Sequence, residues 1–212
     1  EKYQVKRIYQ NLEEILKDDE LDAVHLVTPL DQHEEQTVAV LEAGKHCACT
    51  VPMAVTLEGI RNIINAVRTY GKKYMMMETA LYTYHYMYAK ELLDAGKLGR
   101  IQFLRGSHYQ DMTNWPEYWS GLPPMWYGTH AISPLAGLSG ARIRSVYGVG
   151  SGTMEPWLVK SYGNPYPVES VLLSFENGIK GEATRSLFET ARAYQEGMFI
   201  YGSKASFEWG FR

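Results

Sequence analysis

Hydrophobic and polar positions follow two different periods along the first 79 residues. Short apolar runs predict strands, and longer segments with apolar residues at helical spacing predict helices. The predicted strands are Val5–Tyr9, Ala23–Val27, His46–Val51 and Tyr74–Met77, and the predicted helices are Leu12–Lys17 after a capping Asn11, Gln32–Ala43, and a helix that Thr56 opens and Gly71 closes. The Ala23–Val27 run is apolar enough to predict burial on both faces of a sheet. Strand and helix alternation predicts βαβ units on a parallel sheet.

The pattern changes after Glu78, and the second part of the chain, 80–212, favours an antiparallel sheet with a few helices on one face. The elements expected there are a helix over Tyr84–Ala95, a strand over Ile101–His108, a long loop from Gln110 to Tyr127, a helix beginning near His130, and strands at Arg144–Val149, Ser170–Phe175, Gly181–Ser186 and Met198–Tyr201. Asn177-Gly178 predicts a hairpin turn between two of these strands. The expected fold class is therefore α/β over 1–79 followed by α+β over 80–212.

Composition narrows the class of protein. The net charge of -3 and the pI near 6.1 give no reason to expect a nucleic-acid partner or a membrane surface. No apolar run approaches the roughly 20 residues that a membrane span needs. Cys47 and Cys49 would share one face of a strand, too close in sequence to bridge, and no nearby residues complete a metal site. We expect structural thiols, no metal and a cytoplasmic protein.

Aromatic residues bear on function. The chain has 16 Tyr and 5 Trp, and they crowd into the stretch from Tyr82 to Tyr127. Such a stretch suits a sugar pocket, in which rings stack on the apolar faces of the sugar. A tyrosine-rich sheet packed on helices is the alternative.

Three linked motifs occur between Asp22 and Ala54. They are Thr28-Pro29-x-x-x-His33, then Leu41-Glu42-Ala43-Gly44-Lys45-His46, then Pro52-Met53-Ala54. The segment resembles the glucose–fructose oxidoreductase/inositol dehydrogenase (Gfo/Idh/MocA) family, and the resemblance continues more loosely to Gly96-x-x-Gly99. It implies a partial Rossmann-type domain that binds NAD or NADP, a substrate domain with an open, mostly antiparallel sheet, a small-molecule sugar or glycoside as ligand, and a homo-oligomer.

The resemblance also implies where the cofactor binds. Ligands of an open parallel sheet lie beyond the carboxyl ends of its strands, so the loops after the second and third predicted strands are expected to border one crevice. The candidate cofactor-binding residues of these loops are Thr28, Pro29, His33, Thr50, Val51 and Pro52. The alternative is that the prolines only end the strands.

The chain departs from the family pattern in two places. The glycine-rich phosphate turn that follows the first strand is not in this sequence, so we expect a fragment with weak affinity for the dinucleotide. The family's Glu-Lys-Pro is here Thr50-Val51-Pro52, and valine can neither polarise nor deprotonate a hydroxyl. Trp126 stands where the family has an aspartate four residues before its histidine.

The stretch Tyr127-Gly128-Thr129-His130 followed by Pro134 resembles the NAD-dependent glycosidase branch of the family, typified by α-N-acetylgalactosaminidases, as do Val51-Pro52 and Met76-Met77-Glu78 with Tyr82. In that branch, transient oxidation of one sugar carbon acidifies the neighbouring C–H and the glycosidic bond leaves by elimination. The resemblance implies His130 as catalytic base with Tyr127 and Tyr82 as hydroxyl partners. A structural histidine and coincidental tyrosines are the alternatives.

Other residues are candidates for contact with the sugar. They are His108 and Tyr109 at a strand end and Trp126 in the aromatic loop, with a solvated loop or a hydrophobic lid as alternatives. Arg185 and Arg192 suit an acidic sugar, although surface ion pairs are favoured. Three classes stay open: an enzyme using redox-assisted elimination, an ordinary sugar or polyol dehydrogenase, and a non-catalytic sugar-binding relative.

Overall fold

A computed structural model describes residues 5, 7–190 and 194–209 of the chain. The chain divides into two compact units, residues 1–77 and residues 78–212. Each unit has a core of its own, as expected of a domain.

The first unit is a three-stranded parallel sheet with helices, which confirms the predicted α/β architecture. Its elements are α1 (Leu12–Leu16), β1 (Ala23–Leu26), α2 (His33–Glu42, after a 3-10 turn at Leu30–Gln32), β2 (His46–Cys49), α3 (Leu57–Tyr70) and β3 (Tyr74–Met76). The strands lie in the order β1-β2-β3, and both pairs are parallel. The carboxyl ends of all three strands therefore lie at one edge of the sheet.

Local chemistry explains where the helices of this unit begin and end. The Asn11 side chain accepts a hydrogen bond from the Glu14 N–H, and the Thr56 hydroxyl accepts one from the Gly59 N–H. Gly71 closes α3 with a φ of 65°, a conformation that favours glycine. These residues confirm the predicted helix boundaries to within a residue.

The core of the first unit lies on one face of its sheet. Val24 and Leu26 of β1 and both cysteines of β2 pack against α2. Burial raises the pKa of the Cys47 thiol, and it raises that of Cys49 to about 12, so both are unreactive structural thiols at neutral pH.

Two expectations for this unit are wrong. In the predicted strand Val5–Tyr9, the described residues 5 and 7–9 form no strand, and Ile8 is largely exposed. The reason is that no described strand pairs with the edge of β1 that lies opposite β2. The β1 strand is also not buried on both faces. Its exposed and buried residues alternate, since described elements cover only one face of the sheet.

The second unit is built on a six-stranded sheet. Its elements are α4 (Tyr84–Asp94), β4 (Ile101–Gln110), α5 (Thr129–Ser139), β5 (Ile143–Ser151), α6 (Pro156–Tyr162), β6 (Val168–Phe175), β7 (Lys180–Ser186), β8 (Tyr194–Gly202) and β9 (Ser206–Trp209), with 3-10 turns at Thr79–Tyr82, Glu117–Trp119 and Pro124–Tyr127. The strand order is β5-β6-β7-β4-β8-β9. All pairs are antiparallel except β4 with β7, which confirms a mostly antiparallel sheet.

The predicted hairpin joins β6 to β7. Gly178 has a φ of 88°, and its N–H donates to the Phe175 carbonyl at 3.0 Å. This geometry confirms the turn that Asn177-Gly178 predicts. Helix α6 and strand β9 are not predicted from the sequence, because each is short and carries a weak periodic signal.

Helix α5 covers one face of this sheet and approaches it closely at Gly106. A Cβ atom at Gly106 would lie 2.0 Å from the Ala131 carbonyl oxygen, so only glycine allows this approach. Around the contact, Leu135 packs with Leu104 and Met198 in the core of the second unit. His108 lies two residues beyond Gly106 and therefore faces the same side as α5.

Apolar side chains lie exposed on β5 and β6, on the sheet face opposite to this core. Tyr147 is 67% exposed, Leu172 54% and Val149 49%, and the three are adjacent across the β5–β6 ladder. In the described residues, no helix is long and apolar enough to cross a membrane. No cluster of three or more potential metal ligands occurs in the same part of the chain.

Candidate acid–base site

His130 lies in the first turn of α5, between two oxygen atoms that engage its two ring nitrogens. Nδ1 lies 2.6 Å from Oε1 of Glu78, and Nε2 lies 3.4 Å from the Tyr127 hydroxyl. A carboxylate only accepts hydrogen bonds, so the network assigns the proton of the neutral ring to Nδ1. This leaves Nε2 as a basic nitrogen that faces Tyr127.

Glu78 is fixed by more than its contact with His130. Its Oε1 also accepts the Ala80 N–H at 2.9 Å, which caps the 3-10 turn Thr79–Tyr82. Burial by itself raises the pKa of Glu78, but the hydrogen bond and charge of His130 and the Ala80 N–H lower it below its ordinary value. Glu78 is therefore an ionised carboxylate at neutral pH, and it stabilises His130 whenever that ring takes up a proton.

Tyr127 ends the 3-10 turn Pro124–Tyr127, three residues before His130. Burial raises the pKa of its phenol, although the positive charge of Arg185 opposes the rise. The hydroxyl is thus protonated at neutral pH. It can donate a hydrogen bond or a proton toward a group that shares the space beside Nε2.

His108 extends the cluster from strand β4. Its ring centroid lies 5.3 Å from that of His130, and its Nε2 lies 3.9 Å from Oε1 of Glu196. Burial, with the charge of Arg185, lowers the pKa of His108 to about 2, so this ring is neutral. Both ring nitrogens are buried and have no hydrogen-bond partner among the described residues. A polar group of a ligand or a water molecule would satisfy them.

Arg185 contradicts the expectation of a surface ion pair. Its side chain is wholly buried, because β7 is an inner strand and Arg185 pairs with His108 of β4 on the face that α5 covers. Burial lowers its pKa to about 9, so the guanidinium stays charged at neutral pH. Arg192, the other arginine proposed for an acidic sugar, lies outside the described residues.

The structure does not bring the other predicted residues of this unit to His130. Tyr82 is 66% exposed. Tyr109 follows His108 on the same strand, so its side chain points to the opposite face of the sheet. Trp126 packs its ring against Tyr162, with 5.6 Å between the centroids.

The aromatic loop contacts the site through a different tryptophan. The buried Trp119 ring lies 5.1 Å from the Tyr127 ring and 5.7 Å from that of Trp115, which is exposed. Tyr118 stacks at a tilt beside Trp119. These rings pack together behind Tyr127. The packing fits both a surface on which a sugar stacks and a hydrophobic lid over the site.

In the first unit, the candidate cofactor residues lie at the carboxyl edge of the parallel sheet. The wholly buried His33 links the two loops there: its Nδ1 lies 2.7 Å from the Pro52 carbonyl oxygen and its Nε2 3.0 Å from that of Thr28. Val51 and Pro52 are also buried, whereas Thr28, Pro29 and Thr50 are half-buried. His33 thus holds the loops together through its ring, and the half-buried residues are those that present surface to a ligand.

The sequence predicts no role for Glu78, although Glu78 belongs to the stretch Met76-Met77-Glu78, which resembles the glycosidase branch of the family. Glu78 lies 52 positions from His130 in the chain, and spacing alone does not reveal that contact. For Arg185, the available signal was its place on the same face of a predicted strand as the small residues Gly181 and Ala183. An arginine there is buried whenever that face of the strand is covered.

The fold resembles those of solved proteins that are described as dehydrogenases. It resembles the crystal structure of a probable dehydrogenase from Thermotoga maritima with a TM-score of 0.84 and 19% identity, covering 99% of this chain and 63% of that one. The chain belongs to the GFO/IDH/MocA family. The model of the oxidoreductase family with an NAD-binding Rossmann fold matches residues 1–78, and that of the GFO/IDH/MocA C-terminal domain matches residues 86–208.

Curated relatives fall into more than one activity. A glycosyl hydrolase family 109 protein from Porphyromonas gingivalis is 26% identical over 188 residues, which is 82% of this chain and 38% of that protein. A 1-carboxy-3-chloro-3,4-dihydroxycyclohexa-1,5-diene dehydrogenase from Comamonas testosteroni is also 26% identical, over 84% of this chain and 45% of its own length. The chain thus matches less than half the length of either relative.

Proposed function

We propose that the protein is an NAD(P)-dependent enzyme that acts on a sugar or glycoside, with Glu78, His130 and Tyr127 as its acid–base group. The observation that carries this proposal is the hydrogen-bonded series from the Glu78 carboxylate through both nitrogens of His130 to the Tyr127 hydroxyl. A carboxylate that orients a histidine opposite a hydroxyl is the arrangement expected of a general base.

The residues of the first unit fit part of a dinucleotide. Val27, 70% exposed at the end of β1, offers an apolar surface for a flat ring, and the half-buried Thr28, Pro29 and Thr50 present polar and apolar surface at the same edge of the sheet. We propose that these residues hold NAD or NADP, with His33, Val51 and Pro52 supporting the loops from behind. The chain contains no glycine-rich turn for the pyrophosphate, so we expect residues 1–212 by themselves to bind the dinucleotide weakly.

The proposed reaction is a redox-assisted elimination followed by addition of water. When bound, NAD would supply reversible hydride transfer at one sugar carbon, whose hydroxyl proton would pass to water and come back when the hydride is returned. The neighbouring C–H of the oxidised sugar is acidic, and Nε2 of His130 takes that proton while Glu78 stabilises the charged ring. The electron pair of the C–H bond expels the glycosidic oxygen, and Tyr127 donates the proton that this oxygen needs. Water then adds to the resulting double bond: its oxygen bonds to the carbon that lost the glycosidic oxygen, one of its protons restores the Tyr127 hydroxyl, and His130 returns its proton to the neighbouring carbon.

One feature of the sequence favours elimination over ordinary dehydrogenation. Val51 replaces the lysine that the family resemblance implies for a dehydrogenase, and the same resemblance implies valine-proline at this point for the glycosidase branch. The match to a family 109 glycosyl hydrolase covers most of this chain. The match to the Comamonas dehydrogenase covers a similar share and makes a sugar or polyol dehydrogenase the second candidate.

We propose His108 as a contact for the substrate, because its ring lies beside that of His130 and its nitrogens have no hydrogen-bond partner in the part of the chain that the structure describes. Trp126 and Tyr109 remain predictions as substrate contacts, although neither side chain lies at His130. Tyr82 keeps a proposed catalytic role only if substrate binding moves it from its exposed position. A cytoplasmic location and the absence of a nucleic-acid partner also remain predictions from composition.

The test of the proposed reaction is a two-wavelength assay on the full-length protein with added NAD and a panel of nitrophenyl glycosides. We expect nitrophenol release with no net accumulation of NADH, because every hydride removed is returned. Free sugars and polyols form a second panel, on which the accumulation of NADH is measured in the same way. NADH that accumulates on a free sugar without any glycoside cleavage would contradict the elimination and support the dehydrogenase; no turnover on either panel would support a non-catalytic relative.

We also propose that the protein forms a homo-oligomer through the exposed apolar face of β5 and β6. Tyr147, Val149 and Leu172 form this face, and an apolar patch on an open sheet is typical of a surface that a second copy covers. Leu172→Glu is expected to lower the mass measured by light scattering to that of a smaller species. Leu57→Glu, at a leucine of α3 that is more exposed than Leu172, is the control. A monomeric parent protein would contradict the proposal.

A further inference from the structure

A buried cation lies beneath the acid–base group. The guanidinium carbon of Arg185 lies 5.2 Å from the centroid of the Tyr127 ring. Its Nε donates to the Tyr127 carbonyl at 2.9 Å, and its Nη1 donates to the His108 carbonyl at the same distance and to the Ser186 carbonyl at 3.0 Å. One side chain thus connects the backbone of both residues that flank His130.

Arg185 has the contacts of a structural clamp and not those of a ligand-binding arginine. Besides the three carbonyl groups, its Nη2 donates to Oε1 of Gln110 at 3.1 Å, so four of its N–H groups are engaged within the protein. The side chain has no exposed surface. An acidic sugar therefore has no access to it, which removes the acidic-sugar alternative for this residue.

The energetic cost of this arrangement points to a role beyond packing. A buried charge without an adjacent carboxylate is costly, and among the described residues every acceptor within hydrogen-bond distance of Arg185 is a neutral oxygen. A neutral side chain would fill the same volume without the cost of a buried charge. It would supply neither the positive charge beside Tyr127 and His108 nor the fork of donors that joins their carbonyl groups.

We propose that Arg185 is a positioning residue that fixes the Tyr127 hydroxyl at Nε2 of His130 and holds a positive charge behind it. The proposal deepens the proposed function and rests on the role given there to Tyr127. The fork of the guanidinium sets the geometry, since a lysine offers one donor group where Arg185 uses three nitrogens. The charge makes Tyr127 a stronger acid, since it opposes the effect of burial on the phenol.

The experiment separates charge from geometry with two variants of the full-length protein. Arg185→Met removes the positive charge and the guanidinium donors, and Arg185→Lys keeps the charge but loses the forked arrangement of the donors. The protein is labelled with 3-fluorotyrosine, and the Tyr127 resonance is assigned by its loss in Tyr127→Phe. In Arg185→Met, the ¹⁹F titration midpoint of Tyr127 is expected to rise by about one pH unit. In Arg185→Lys it is expected to stay near that of the parent.

Turnover of the nitrophenyl glycoside that the parent cleaves gives the second readout. In Arg185→Lys, kcat is expected to fall by about 10- to 100-fold with KM nearly unchanged, because the hydroxyl is misplaced relative to His130. Arg105→Met, at a half-exposed arginine of β4 that pairs with Glu182, is the matched control for both readouts. Arg105→Met is expected to leave the Tyr127 midpoint and kcat unchanged.

The possible outcomes separate this inference from the proposed function. A folded Arg185→Met protein with an unchanged Tyr127 midpoint would overturn the role of the charge, and an unchanged kcat in Arg185→Lys would overturn the role of the fork. If the parent turns over no sugar or glycoside, the proposed function fails, whereas the ¹⁹F titration still tests the charge. If Arg185→Met does not fold, Arg185→Gln, which keeps one donor without the charge, gives the same titration test.

Discussion

Replacing His130 with alanine is expected to abolish glycoside turnover while leaving NAD bound to the full-length protein. The imidazole is the one group in the described site that has a basic nitrogen facing a hydroxyl, with a carboxylate to stabilise its charged form. Loss of a positioned general base typically lowers the rate by about 10²- to 10⁴-fold. The proposed cofactor residues lie in the first unit, so dinucleotide binding does not depend on this ring.

Steady-state kinetics and native mass spectrometry on the same preparation check both halves of this prediction. His25→Ala is the matched control, because His25 is exposed on β1 and removing its imidazole leaves the site intact. Retained turnover in His130→Ala would remove His130 from the catalytic site. Loss of bound NAD together with turnover would instead give His130 a role in holding the fold or the cofactor.

Glu78→Gln is expected to lower kcat by about 10²-fold with little change in KM. Glutamine is close to isosteric with glutamate, but its amide can present an N–H to Nδ1 of His130. That contact would favour the tautomer with the proton on Nε2, which has no lone pair left to accept a proton from the substrate. Stabilisation of the charged ring by the carboxylate would be lost as well.

The pH dependence of stability gives an independent check on Glu78. Its pKa is lowered in the folded protein, so its contribution to stability is present above the ordinary glutamate value and is lost as the pH falls through the folded value. Thermal unfolding between pH 6 and pH 3 is expected to show this loss in the parent and less of it in Glu78→Gln. Glu58→Gln, at an exposed position of α3, is the control. An unchanged kcat in Glu78→Gln would contradict the role proposed for the carboxylate.

The sequence predicts most of the fold because its signals are local. Asn11, Thr56 and Gly71 mark helix ends through hydrogen bonds or backbone angles that involve only nearby residues, and Asn177-Gly178 does the same for a turn. The exception is Val5–Tyr9. A strand requires a partner strand, and the apolar pattern of a segment does not reveal whether one is present.

The site is less predictable, since most of its contacts join distant parts of the chain. Tyr127 and His130 are three residues apart and share a motif, so their proximity follows from the sequence. Glu78 reaches His130 across 52 positions, and Arg185 reaches Tyr127 across 58. Strand pairing and the close approach of α5 at Gly106 determine these contacts, and neither can be derived from local periodicity.

Deuterium uptake tests most directly whether His130 moves a proton at a sugar carbon. The full-length protein is incubated in D₂O with NAD and a nitrophenyl glycoside that it cleaves, and the released sugar is returned to H₂O before mass spectrometry. One non-exchangeable deuterium is expected on carbon, at the position from which His130 takes the proton, and it is expected to be absent from reactions with His130→Ala. Released sugar without carbon-bound deuterium would contradict this role of His130.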